Sequence, residues 1–71
     1  MSIKFMYSNK KLISVMIVED NSAVLQRISR AVTESSHFLL RAACATYAVG
    51  ENMLMLDPPD VLLLDLDFAR W

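Results

Sequence analysis

The chain has 71 residues, a single cysteine and a single glycine, which bounds it at one small domain and excludes an internal disulfide. Hydrophobic residues make up 55%, charged residues 21%, and the formal net charge is -1, a globular composition with no surplus of positive charge to attract a nucleic-acid polyanion. No uncharged run reaches bilayer length, and the opening MSIKFMYSNKKLI lacks the apolar core and cleavage site of a secretory signal, so no membrane partner and a reducing cytoplasm are expected.

Residues 1–11, with Lys4, Lys10 and Lys11, read as a solvated lead-in to one domain over residues 12–71. The segment 12–18 (LISVMIV) is short, rich in β-branched residues and bounded by charge, the pattern of a buried first strand. From Asn21 the period changes. Val24, Leu25, Ile28, Ala31 and Val32 recur at helical spacing with polar residues between them, giving an amphipathic helix capped by Asp20, Asn21 or Ser22 and fraying at Ser35 and Ser36. Phe38–Cys44 (FLLRAAC) reads as a second strand, with a helix left open because alanine is a poor strand former. Tyr47–Leu56 reads as a second helix with Val49, Met53 and Leu56 on one face, ended by Pro58 and Pro59. Gly50 inside it costs about 1 kcal/mol relative to alanine. The third strand is expected over residues 60–66. The order βαβαβ implies parallel strands joined by right-handed crossovers.

In a parallel sheet all strands deliver their C-terminal ends to one edge. Glu19 and Asp20 after the first strand and Asp65 after the third therefore converge on one crevice, where ligands bind in this architecture. Unpaired, three carboxylates repel one another and push at least one pKa upward. Their natural complement is a hard divalent cation with oxygen ligands, and Mg²⁺ suits best because it takes one or two carboxylates and leaves room for a phosphoryl oxygen. One carboxylate would then be free to act as a nucleophile toward phosphorus.

At these residues the sequence resembles the receiver domains of two-component response regulators. VMIVEDNSAVLQRI is similar to the family's first strand, acidic pair and following helix, and PPDVLLLDLD to its third strand, with 44 residues between Asp20 and Asp65, close to the usual interval. The resemblance covers residues 13–67, and the two motifs together are more specific than either alone. It implies a truncated flavodoxin-like receiver fold with a three-stranded parallel sheet in the order 2-1-3. It further implies that Asp65 accepts a phosphoryl group from a sensor histidine kinase, while Glu19, Asp20, Asp65 and the backbone carbonyl of Asp67 hold Mg²⁺. On that reading the chain is a phosphoacceptor in a phosphorelay rather than an enzyme.

The sequence also departs from the family. Ala69, Arg70 and Trp71 stand where a proline and a glycine-containing loop usually follow the phosphoacceptor, and the fourth and fifth strands with their hydroxyl, aromatic and lysine residues are not in the sequence. The expectation is a receiver truncated by an early stop or a fragment boundary, impaired in phosphotransfer, binding no nucleic acid and self-associating through the open edge of its third strand. A rival resemblance is to haloacid-dehalogenase-like phosphatases, whose apolar strand ends in Asp-x-Asp as Asp65 and Asp67 do here; it leaves Glu19 and Asp20 unexplained. A non-catalytic interaction module is the third reading. Each notable residue also has a plain structural account. The acidic cluster reads as solvated strand and helix ends, His37 as an exposed loop residue, Cys44 as a small buried hydrophobe, and Met53 and Met55 as core filler.

Overall fold

The computed structural model describes residues 12–65. Strand β1 spans Ile13–Val18, helix α1 Ser22–Glu34, strand β2 Phe38–Cys44, helix α2 Tyr47–Leu56 and strand β3 Val61–Leu64. The sheet is parallel with order β2-β1-β3, the three-stranded arrangement expected of a truncated flavodoxin-like α/β fold. The alternative of a helix at Phe38–Cys44 is excluded, since that segment pairs with β1 along its length. Its register shifts between Val15 and Met16, where the partner moves from Leu40 to Ala42 and leaves Arg41 bulged. Arg41 uses that position to pair with Asp57 at the end of α2, an exposed ion pair of small energetic weight.

Strand β1 is the centre of the molecule, and its alternation distributes the core. Val15 and Ile17 point to one face and pack with Val32, Leu25 and Ile28 of α1 and with Leu40. Met16 and Val18 point to the other and pack with Cys44, Ala42, Leu54 of α2 and Leu64. Met16, Ile17 and Val18 are almost wholly buried, each contributing about 1.5–3 kcal/mol relative to exposure. Asn21 caps α1, its side chain accepting from the Val24 amide at 3.1 Å. Thr46 caps α2 in the same way, accepting from the Val49 amide at 3.3 Å.

Three expectations are corrected. The inner face of α2 is not Val49, Met53 and Leu56, which are exposed, but the line through Gly50 and Leu54. Gly50 is buried because a Cβ there would lie 2.7 Å from Val18 Cγ2, so its missing side chain is what lets α2 approach β1. Met55 is likewise exposed rather than core filler, whereas Met16 fills that role. The third strand begins at Val61 rather than at Asp60 and its regular pairing ends at Leu64; the expected Leu66 lies outside the described residues. Val61, Leu62 and Leu63 are each about two-fifths exposed, because both helices sit over β1 and β2 and leave β3 with little cover. No helix among the described residues is long and apolar enough to cross a membrane.

Candidate functional site

The carboxylates of Glu19, Asp20 and Asp65 meet at the C-terminal edge of the sheet, with one oxygen from each within 4.8 Å of the others. The strand ladder holds their backbones. The Glu19 amide donates to the Cys44 carbonyl at 2.9 Å and the Asp65 amide to the Val18 carbonyl at 3.1 Å, so each acid stands one residue beyond its strand while still hydrogen-bonded to the neighbouring one. Glu19 is buried, Asp20 exposed and Asp65 half-buried, a gradient from the sheet outward to solvent.

The electrostatics follow from this packing. The Asn21 amide donates to Glu19 Oε2 at 3.0 Å and by itself favours the charged carboxylate. Desolvation, a hydrogen bond to the Asp65 carboxyl and the charges of Asp65 and Asp20 act in the opposite direction and outweigh it, so Glu19 titrates above its ordinary value. The cluster therefore holds a proton more tightly than a lone glutamate does. An all-oxygen set at this spacing, open on the Asp20 side, is also the donor chemistry that a hard divalent cation fits. Beside it, Ile17, Ile28, Leu63 and Leu64 line an apolar groove that reaches Glu19 and Asp65.

Glu19, Asp20 and Asp65 are thus brought together as the sequence indicated, while Asp67, expected to contribute its carbonyl, lies outside the described residues. His37 is exposed in the turn before β2, remote in the fold from this edge. Cys44 is buried at the end of β2, where desolvation raises its thiol pKa, the reverse of what a nucleophilic thiolate needs. Sequence reasoning missed the Asn21 amide as a clamp on Glu19. A backbone donor carries no residue-type signal; only the acid's position two residues before a helix cap indicates it.

Comparison with protein-family models, with curated proteins and with solved structures found no match to this chain.

Proposed function

We propose that the chain is a phosphoacceptor module of the response-regulator receiver type, in which Asp65 takes a phosphoryl group from a histidine kinase in the presence of Mg²⁺. The observation that supports it is the convergence of three carboxylate oxygens from the ends of β1 and β3 within 4.8 Å. The phosphatase alternative gives no role to Glu19 and Asp20, whereas here both face Asp65.

In the proposed step an Asp65 carboxylate oxygen attacks phosphorus, a P–O bond forms, the P–N bond to the donor imidazole breaks, and the imidazole leaves with a proton. The product is an acyl phosphate. Bound Mg²⁺ would neutralise the carboxylates and the incoming phosphoryl oxygens. Glu19, Asp20 and Asp65 would hold the ion, and the ladder bonds to Cys44 and Val18 fix two of those residues in place. Lysine is absent from the described residues, so no ammonium among them assists the transferring oxygens. Removing one preorganised donor typically costs on the order of 10²- to 10³-fold in rate, and slow labelling is expected.

Radiolabelled acetyl phosphate with Mg²⁺ tests the reading. Slow, hydroxylamine-sensitive incorporation that Asp65→Asn abolishes supports it. Incorporation that survives Asp65→Asn, or steady hydrolytic turnover of a phosphomonoester, contradicts it.

A further inference from the structure

At the opposite end of the sheet from the carboxylates, Ser14 and Asp60 are joined by a compact polar bracket. Asp60 Oδ2 accepts from the Ser14 amide at 2.9 Å and from Ser14 Oγ at 3.1 Å, while the Asp60 amide donates to Ser14 Oγ at 2.8 Å and to the Ser14 carbonyl at 3.1 Å. Ser14 is 4% exposed, so its hydroxyl sits where an unpartnered polar group is costly. The carboxylate cluster makes no use of either residue.

The bracket matters because little else specifies how β3 lies along β1. The contact runs over only four pairs, from Val15 with Val61 to Val18 with Leu64. The paired segment is VLLL, apolar on both faces, so within it no alternation of apolar and polar residues fixes the register, and a slip is opposed only by the residues it would draw in from the flanks, Asp60 or Asp65. Hydrophobic pattern therefore sets the register weakly. A slip of two residues would carry Asp65 about 7 Å along the strand, further than the 4.8 Å that now contains the three carboxylate oxygens. The same slip would strip Ser14 of its Asp60 partners.

We infer that Ser14 and Asp60 are positioning residues for the carboxylate site, pinning β3 in register on β1 and so setting where Asp65 stands against Glu19 and Asp20. The inference rests on the proposed metal-binding reading for its consequence, but its structural core, the register, is measured without metal.

The test uses the full chain with Ser14→Ala, Asp60→Ala, Asp60→Asn and, as a control with comparable loss of packing elsewhere, Val32→Ala. Cross-strand nuclear Overhauser effects between Val18 and Leu64 report register, and calorimetry with Mg²⁺ alone, corrected to the folded fraction, reports the site. Ser14→Ala and Asp60→Ala are expected to lose or shift those cross-strand signals and to weaken Mg²⁺ affinity about tenfold or more. Asp60→Asn, whose amide oxygen can accept the same bonds, should retain both, and folded Val32→Ala should bind as the parent does. Should Asp60→Ala fail to fold, Ser14→Ala decides, because it leaves the Ser14 amide bonded to Asp60. Unchanged Val18 to Leu64 signals in the alanine variants overturn the inference, as does an Asp60→Asn variant that behaves like Asp60→Ala. A parent chain that shows shifted register in the variants but no Mg²⁺ binding of its own refutes the metal reading and leaves the register role standing.

Discussion

Glu19 and Asp65 stand at the ends of two adjacent parallel strands with a carboxylate oxygen of each within 4.8 Å of the other, a spacing at which like charges favour a shared proton or a cation. Without a cation, Glu19 carries a raised pKa, so the folded chain holds its proton where the unfolded chain, near the ordinary value of 4.5, has released it. The folded state then binds more protons, and its stability falls as pH rises from about that value through the raised one. Urea denaturation across this window should show that decline in chelator. Millimolar Mg²⁺ should flatten or reverse it, and Asp65→Asn should shrink it by removing one cause of the raised pKa. Stability that climbs with pH in chelator would contradict the assignment.

The cap of α1 and the clamp on Glu19 use different atoms of Asn21, which makes them separable. Asn21→Ala removes the side-chain acceptor for the Val24 amide but keeps the backbone donor to Glu19. The expected cost is about 0.5–2 kcal/mol of stability by chemical denaturation, with Mg²⁺ affinity of the folded protein unchanged. A large loss of affinity without loss of stability would show that the side chain has a different role.

Gly50→Ala tests the packing of α2 on β1. Alanine gains up to about 1 kcal/mol of helix propensity, but its Cβ would stand 2.7 Å from the stiff, buried Val18 side chain. Overpacking typically costs about 1–3 kcal/mol, so a net destabilisation of roughly 1–2 kcal/mol is expected. Combining it with Val18→Ala should be less damaging than the sum of the two single changes. Strict additivity would place the clash elsewhere.

These elements also show what the sequence made legible. β1 and α1 were readable because a β-branched run and a helical period each bury one continuous stripe. The three acids followed from parallel topology alone, which sends the ends of β1 and β3 to one edge. The inner face of α2 was not readable, because apolar residues lie on several of its sides and its buried residue, Gly50, has no side chain to register as apolar. The open edge of β3 was legible from the strand order 2-1-3, which places that strand at the sheet boundary. The Ser14 and Asp60 bracket escaped notice because the two residues are 46 positions apart and become partners only through the sheet.

The most direct measurement of the central claim is isothermal titration of the chain with Mg²⁺, in parallel with Asp65→Asn. Removing one unit charge about 4 Å from a divalent cation removes about 2 kcal/mol even at the dielectric constant of water, equivalent to a loss of roughly 30-fold before salt screening. Single-site Mg²⁺ binding by the parent, weakened about tenfold or more in a folded Asp65→Asn variant, is the predicted result. Equal affinity in the two proteins, or no binding by the folded parent, would contradict the account.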